Sequence, residues 1–347
     1  MSNIIENRVL VGMSGGVDSS AAVCILREKG YEVSGVFCIM HDYYEPALED
    51  AKKVAEKLQV ELIIKDLRKE FEKIVVEDFL SCYKNGKTPN PCIVCNPTIK
   101  FKSLIDTADE IGAKYIATGH YARIGFENGR YYIKSAENLK KDQSYMLYRL
   151  SQEVLERTIF PLGDMFKEEV RSLFMNNDSD IASKADSQEI CFIPDDDYVG
   201  FIENRLGKFP KGNFISPEGN ICGEHKGIIN YTVGQRKGLN IALGQPAFIR
   251  EINTEKNEIY LSYKGGEYFD EVIFGDVVFM KLSEISDNEE YFAKVRYSNK
   301  TESCVVSKLS NGDFRAYFKD KVRAPAKGQS IVFYDEEGNI LFGGFIK

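Results

Sequence analysis

The sequence has no long hydrophobic run and no dense set of cysteines, and no secretory leader is predicted from its first residues. None of its apolar stretches approaches the roughly 20 residues that a helix needs to cross a bilayer, so no membrane span is predicted. The first residues, MSNIIENRVLVG, lack the basic start and cleavage site of a signal peptide. Eight cysteines in 347 residues are too few for a disulfide scaffold. We therefore expect a cytoplasmic protein, whose important cysteines are catalytic, redox-active or metal-binding.

Size and composition predict a globular protein of two or three domains, with 43% hydrophobic and 28% charged residues. The formal net charge of −8 argues mildly against a nucleic-acid partner, because phosphate contacts need clustered lysine and arginine. Two stretches nevertheless contain no acid. Lys84 to Lys102 has four lysines, and His225 to Arg250 has two lysines and two arginines. Each stretch is a candidate for a local positive surface or for an ordinary solvated face.

The first third of the chain alternates short apolar runs with segments of helical spacing. This alternation predicts an α/β domain with a parallel, doubly wound sheet covered on both faces. Helices are predicted at 18–29, 45–58, 69–83 and 98–111. After His120 the sequence predicts a hairpin that turns at Asn128-Gly129. From about Asp270 it is turn-rich and strand-like, which predicts a small β-barrel or sandwich with a terminal hairpin around Glu337-Gly338.

These changes in the predicted pattern of strands, helices and turns predict three domains. The first, 1–205, carries the parallel sheet and the candidate catalytic cysteines. The second, 206–268, begins in a segment rich in glycine, proline and asparagine and is expected to be a small mixed domain that binds the macromolecular substrate. The third, 269–347, is the predicted barrel.

The strongest local signal is the glycine loop in VLVGMSGGVDSSAAV. A strand is predicted to end at Met13, and a helix to open at Asp18 after two glycines. Glycines let the backbone approach a phosphate, and the new helix offers free N–H groups and the positive end of its dipole. The loop is neither a Walker A motif, since no lysine follows the glycines, nor a G-x-G-x-x-G fingerprint. It resembles the SGGxDS loop of the PP-loop ATP pyrophosphatases, which cleave ATP between its α and β phosphates.

A second signal is KTPNPCIVCNPTIKF, in which two cysteines stand three residues apart among three prolines. Asn96 and Pro97 predict that a helix begins near Thr98, with Asn96 as its cap. Cys95 would then lie at a helix N-terminus close to Lys100, which favours the reactive thiolate. Structural zinc is disfavoured because no second CxxC supplies the remaining ligands. A thioredoxin-like redox pair is also disfavoured, because no first strand precedes the motif.

Five further motifs follow the glycine loop in order: GKTPNPCIVCNPTIKF, ATGHYAR, KDQSYMLY, DSQEICFI and GEHKGIINYTVGQRKGL. Together they resemble the tRNA-specific 2-thiouridylases of the MnmA type, from Arg8 to about Gln329. The resemblance implies that ATP, with Mg²⁺, adenylates the C2 oxygen of the wobble uridine in tRNAs for Lys, Glu and Gln. A cysteine persulfide then replaces that oxygen with sulfur. It also implies a sulfur donor, such as a cysteine desulfurase or a sulfur-relay protein.

By position in these motifs, the resemblance assigns roles to individual residues. Cys191 would carry the persulfide, and Cys95 would release the sulfur by forming a transient disulfide with it. Asn90, Pro91 and Cys92 would face the target base. The implied ATP contacts are Gly12, Met13, Ser14, Gly15, Gly16, Val17, Asp18, Ser19, Cys38 and Gly119. The remaining implied tRNA contacts are His120, Lys141, Asp142, Gln143, Arg296, Tyr297 and Gln329.

The sequence departs from the family pattern at Cys92, where an aspartate thought to act as an acid–base group is usual. Cys92 is therefore a third catalytic candidate, although an ordinary thiol does that work poorly at neutral pH. It also opens an alternative, because Cys92, Cys95 and Cys191 resemble the [4Fe–4S] ligands of the cluster-dependent tRNA thiolases. We favour persulfide chemistry. Two other hypotheses are a small-molecule PP-loop synthetase and a noncatalytic tRNA-binding protein.

Overall fold

The computed structural model describes residues 4–175, 190–286 and 289–347. The N-terminal part is built on a five-stranded parallel sheet in the order β3-β2-β1-β4-β7. The strands are β1 (Ile5–Gly12), β2 (Glu32–Ile39), β3 (Leu62–Asp66), β4 (Ala113–Ala117) and β7 (Thr158–Ile159). β1 lies in the middle of the sheet, and its residues Val9, Leu10 and Val11 are completely buried. The predicted parallel α/β sheet is confirmed.

The chain moves outward from β1 through β2 to β3 and then crosses to β4 on the other side of β1. The order therefore reverses between β1 and β4, and open α/β sheets bind their ligands at such a switch point, beyond the carboxyl ends of the strands. The glycine loop follows β1, and the ATGH motif follows β4. The sheet thus brings together two motifs that stand about 100 residues apart in the sequence.

The helices predicted at 18–29 and 45–58 are present as α1 (Val17–Glu28) and α2 (Glu45–Lys57). The other α-helices among the described residues are α3 (Arg68–Phe71), α4 (Glu77–Lys84), α5 (Pro91–Cys95), α6 (Phe101–Ile111), α7 (Gln152–Arg157), α8 (Lys167–Met175) and α9 (Tyr198–Leu206). A π-helical turn, Glu72–Val76, joins α3 to α4, so these two form the helix predicted at 69–83. The predicted hairpin after His120 is also present, as β5 (Arg123–Glu127) and β6 (Arg130–Lys134).

The helix after the two cysteines begins seven residues earlier than predicted. Asn90 is its cap, with a side-chain oxygen that accepts a hydrogen bond from the Cys92 backbone N–H at 3.2 Å, and Pro91 occupies the first turn. The helix passes Pro97 through a π-helical turn, Asn96–Lys100, which accommodates a residue that lacks an N–H. The predicted cap, Asn96, is buried and donates instead to the Met146 carbonyl at 2.9 Å. The prediction that Cys95 lies at a helix N-terminus is therefore wrong.

The C-terminal part consists of a four-stranded mixed sheet and a closed barrel. The sheet has the order β10-β11-β8-β9, from β8 (Gly212–Ile215), β9 (Ile221–His225), β10 (Ala247–Asn253) and β11 (Glu258–Tyr263). Six strands close the barrel: β12 (Tyr268–Phe279), β13 (Glu290–Lys294), β14 (Glu302–Lys308), β15 (Phe314–Arg323), β16 (Ser330–Tyr334) and β17 (Ile340–Ile346). The predicted barrel and its terminal hairpin are confirmed. No helix within the described ranges has the length and apolar character that crossing a membrane requires.

Candidate nucleotide and sulfur-transfer site

The glycine loop after β1 is held by its own serines and by α2. The Ser14 backbone N–H donates to the Ser19 hydroxyl at 3.1 Å, and the hydroxyls of Ser19 and Ser20 donate to the Gly16 carbonyl. Gly15 has a φ of +74°, and a β-carbon there would lie 2.8 Å from the Ala47 carbonyl oxygen in α2. Only glycine fits this turn, because it accepts the left-handed conformation and leaves room for α2. Val17 packs in the core behind the loop.

The loop after β4 comes into direct contact with the glycine loop at Gly119. A β-carbon at Gly119 would lie 2.7 Å from the carbonyl carbon of Asp18 and 2.8 Å from the backbone nitrogen of Ser19. The first turn of α1 and the ATGH motif thus meet backbone to backbone. This contact explains in physical terms why both motifs belong to one site.

The structure adds Lys167 and Tyr121 to this loop, and sequence reasoning missed both. The Lys167 ammonium donates to the two carboxylate oxygens of Asp18 at 2.7 and 2.8 Å, and the Tyr121 hydroxyl donates to one of them at 3.0 Å. The Lys167 side chain is only 7% exposed. Because its charge is buried, its pairing with Asp18 fixes the start of α1 against α8. Nothing local in the sequence indicates that Lys167 and Asp18 are partners.

Replacing Lys167 with methionine should destabilise the protein and weaken nucleotide binding, because the Asp18 carboxylate would lose its buried counter-charge. Asp18 is itself one-third exposed, so we expect less than the roughly 3–5 kcal/mol typical of breaking a fully buried pair. Chemical denaturation of Lys167→Met, Asp18→Asn and the double variant measures the coupling between the two side chains. Additive effects would contradict a specific pair.

A cavity of about 830 Å³ joins the glycine loop to Cys191. Its lining includes Gly12, Met13, Ser14, Asp18, Ser19, Cys38, Met40, His41, Lys100, Thr118, Gly119, His120, Gln143, Ile190 and Cys191. Of the ten predicted ATP contacts, seven line this cavity. The other three are Gly15, Gly16 and Val17, which shape the loop behind it. The first part of the DSQEICFI motif, up to residue 189, lies outside the described residues.

The candidate cysteines lie close together but in different surroundings. Cys95 is buried, with its sulfur 3.9 Å from the Met40 sulfur, and burial raises the pKa of its thiol to about 12. Cys191 is exposed at the cavity, yet the protein atoms around it desolvate the thiolate and raise its pKa to about 11. Cys92 and Cys191 both contribute to the raised pKa of Cys95, so the three thiols share one region. At neutral pH Cys95 is a thiol, which corrects the predicted thiolate.

Cys92 is exposed in the first turn of α5, so it, and not Cys95, lies at the start of the helix. Among the described residues, no group of three or more histidine, cysteine, aspartate or glutamate side chains is placed to hold a metal ion. The structure therefore gives no support to the alternative in which Cys92, Cys95 and Cys191 hold an iron–sulfur cluster. The fourth thiol near them, Cys38, hydrogen-bonds to Ser103 at 3.7 Å, and burial raises its pKa.

His120 and Gln143 face the cavity. The His120 ring bonds to the Thr118 hydroxyl at 2.7 Å and stacks on Phe101, and burial lowers its pKa to about 3. It is therefore neutral at physiological pH. The Gln143 side chain accepts from the Tyr121 backbone N–H at 2.9 Å. Both residues can reach a substrate that enters the cavity.

The other predicted tRNA contacts lie at junctions within the protein. The Asp142 carboxylate is buried and accepts hydrogen bonds from Ala136 and Ser144, and its backbone carbonyl accepts from the Tyr297 hydroxyl at 2.9 Å. This arrangement gives Asp142 a positioning role in the loop that also contains Lys141. The Arg296 guanidinium donates to the carbonyls of Val233 and Ala324, which ties the segment between β9 and β10 to the residue that follows β15 in the barrel.

Gln329 links the barrel to the segment that leads into the cysteine helix. Its side-chain amide donates to the Thr88 carbonyl at 2.8 Å, and the Thr88 N–H donates to the Lys327 carbonyl at 2.8 Å. Asn90 and Pro91 follow directly and open α5. The barrel therefore fixes the approach to Cys92 and Cys95.

A glycine loop at the switch point of a parallel sheet, opening on a cavity that reaches Cys191, is the arrangement of a nucleotide-binding α/β protein with a thiol beside its site. Residues 7–195 match the family model described as tRNA methyl transferase HUP domain. Residues 199–263 match the tRNA methyl transferase PRC-barrel domain, and residues 269–346 match the aminomethyltransferase beta-barrel domain. The chain belongs to the family of tRNA-specific 2-thiouridylases of the MnmA type, which confirms the resemblance seen in its motifs.

Relatives support this membership over nearly the whole chain. The tRNA-specific 2-thiouridylase MnmA 2 of Clostridium botulinum strain Langeland is 46% identical, over 98% of both chains. The tRNA-specific 2-thiouridylase MnmA of Lachnoclostridium phytofermentans is 44% identical, over 97% of this chain and 98% of that one. Among solved structures, NMN synthetase from Francisella tularensis is 17% identical with a TM-score of 0.34, over 52% of this chain and 67% of that chain.

Proposed function

We propose that this protein is an ATP-dependent tRNA sulfurtransferase that converts the C2 oxygen of a wobble uridine to sulfur. The observation that carries the proposal is the single cavity that holds the glycine loop at one end and Cys191 at the other. Its relatives are named 2-thiouridylases, although the matching domain models are described as methyl and aminomethyl transferases. A cavity with a phosphate-type loop beside several thiols favours sulfur transfer over methyl transfer.

The site fits ATP as the first substrate. The glycine loop offers backbone N–H groups and serine hydroxyls to the phosphates, and the Gly119 contact leaves no room there for any larger side chain. Mg²⁺ would enter with the phosphates, as it does where few protein ligands are present. The side chains of this loop that line the cavity and would be available to Mg²⁺ are Ser14, Ser19 and Asp18, although Asp18 is already paired with Lys167.

The proposed reaction runs in two stages. The C2 oxygen of uridine attacks the α-phosphate of ATP, and pyrophosphate leaves. The outer sulfur of a Cys191 persulfide then attacks C2, and AMP leaves with the former uridine oxygen. Cys95 gives up its proton to solvent and attacks the Cys191 sulfur. This step frees 2-thiouridine and forms a Cys95–Cys191 disulfide, which a dithiol reductant reopens.

We assign the other partners and regions by the same proposal. A persulfide-bearing donor protein recharges Cys191, and the enzyme acts on tRNA in the cytoplasm. Domain 1–205 holds the chemistry, 206–268 contacts tRNA, and 269–347 forms the barrel. The acid-free stretches expose Lys84, Lys87, Lys102, Lys226, Arg236 and Lys237 to solvent. These cations can meet the tRNA backbone despite the net charge of −8.

The experiment that tests the function combines purified protein, ATP, unmodified tRNA and a persulfide source. We expect pyrophosphate, AMP and 2-thiouridine to form in equal amounts, and only when tRNA is present. A methylated nucleoside in place of 2-thiouridine would support the methyl-transfer descriptions. Pyrophosphate release with a small acceptor and without tRNA would support a small-molecule synthetase.

Restoring the usual family residue by Cys92→Asp should keep the enzyme active. Cys92 is exposed in the first turn of α5, where an aspartate interacts well with the helix dipole. If a cluster operated instead, an oxygen ligand in place of a thiolate would lower cluster occupancy and activity together. Activity, iron and acid-labile sulfide are measured in both proteins after anaerobic purification. Stoichiometric iron in the parent, with an inactive variant, would contradict persulfide chemistry.

A further inference from the structure

The cavity contains one lysine whose role the motifs do not assign. Among the described residues that line it, Lys100 is the only lysine or arginine. Lys100 is the last residue of the π-helical turn Asn96–Lys100, the same turn that accommodates Pro97. The sequence groups Lys100 with the other lysines of the basic stretch, but the structure places it in the cavity.

Within 4–175, 190–286 and 289–347, no carboxylate forms an ion pair with Lys100. Its neighbour in sequence, Lys102, points elsewhere and pairs with Asp106 at 2.6 Å. The field of Lys100 reaches groups on several elements. It opposes the rise in pKa that burial causes at Cys38, Cys95 and Cys191, and it adds to the lowered pKa of His120. Lys100 therefore lies near both the sulfur chemistry and the end of β4.

The phosphates of ATP need such a cation. The glycine loop has no lysine of the Walker A type, and the ammonium of Lys167 is engaged by Asp18. The loop itself supplies only backbone N–H groups and hydroxyls, which suit the β and γ phosphates that leave as pyrophosphate. The α-phosphate must lie between that loop and Cys191, since it is attached to the base that Cys191 attacks. Lys100 lines the same cavity as both.

We propose that Lys100 binds the α-phosphate and stabilises the negative charge that develops on AMP as it leaves. This inference rests on the proposed function for its reaction step, but the contact itself can be tested without the reaction. A cation that is already in place is effective against negative charge that grows in the transition state. An arginine at this position should retain the contact in part, because it keeps the charge but changes the geometry.

The test compares the binding of AMP and adenosine by calorimetry in the parent protein and in Lys100→Met, Lys100→Arg and Lys114→Met. AMP differs from adenosine only by the α-phosphate. We expect Lys100→Met to weaken AMP binding about tenfold while leaving adenosine binding unchanged, the size of one charge-assisted hydrogen bond. Lys100→Arg should retain most of the preference for AMP. Lys114 lies at the opposite end of β4 and pairs with Glu6, so Lys114→Met should match the parent.

Turnover provides a second readout. In the tRNA-dependent assay, Lys100→Met should lower kcat about 100-fold, the effect of removing one group that stabilises a transition-state charge. Equal preference for AMP over adenosine in the parent and in Lys100→Met would overturn the inference, as would a loss of affinity for both ligands alike. A parent that binds AMP through Lys100 but forms no 2-thiouridine would leave the contact standing and overturn the proposed function instead.

Discussion

Cys191→Ser is expected to abolish 2-thiouridine formation while leaving the affinity for tRNA nearly unchanged. A serine oxygen cannot carry a persulfide, so the sulfur has no place from which to attack. Cys191 is exposed at the cavity and is not packed in the core, so the nearly isosteric serine should fold normally. The measurement is mass spectrometry of wobble uridine from a complemented deletion strain, with tRNA binding determined on the purified variant.

Cys222→Ser is the matched control, because Cys222 is a half-buried thiol in β9 that donates to the Phe214 carbonyl. Serine can make the same bond, so this variant should thiolate tRNA like the parent.

Pyrophosphate release should survive in Cys191→Ser, since adenylation does not need the sulfur. Normal 2-thiouridine in the Cys191→Ser strain would show that another thiol carries the persulfide.

Gly119→Ala should reduce ATP-dependent pyrophosphate release about 100-fold, the scale expected when a reacting group is displaced by about 1 Å. The added β-carbon would lie 2.7 to 2.9 Å from backbone atoms of Asp18 and Ser19. Backbone atoms at that distance must move, and here they belong to the loop that holds the phosphates. The expected loss is in nucleotide binding and turnover, measured separately as KM for ATP and kcat.

Gly223→Ala separates this effect from a general cost of losing a glycine. At Gly223 the nearest atom to an added β-carbon is Cγ1 of Ile241 at 3.5 Å, an ordinary contact. This variant should turn over ATP at the parent rate. Parent-like turnover by Gly119→Ala, with an unchanged melting temperature, would mean that the glycine loop and the loop after β4 can move apart without loss of ATP turnover.

The sequence predicted the features that depend on local pattern. Each of these features depends on residues that are neighbours in the sequence: the glycine loop, the alternation of strand and helix, and the turn at Asn128-Gly129. The structure contains all of them. The contact of Gly119 with Asp18 and the pair of Lys167 with Asp18 could not be predicted this way. Each joins segments about 100 or more residues apart, and only the order of strands in the sheet brings them together.

The misplaced helix start shows where local rules conflict. Asn90-Pro91 and Asn96-Pro97 are both good starts for a helix, and the sequence offers no way to choose between them. Tertiary contact decides, because Asn96 is buried against the Met146 carbonyl and Asn90 remains free to cap. The start at Asn90 affects the chemistry of the site, because it leaves Cys95 as a buried thiol and places Cys92 in an exposed position at the start of the helix.

The most direct test of the account follows one sulfur atom. The protein is loaded with a ³⁵S-labelled persulfide, separated from the donor, and mixed with unmodified tRNA in the presence or absence of ATP. We expect the label to leave Cys191 and appear in 2-thiouridine only when ATP is added, together with an equal amount of AMP and a Cys95–Cys191 disulfide. Label that reaches tRNA without ATP, or that never resides on Cys191, would contradict it.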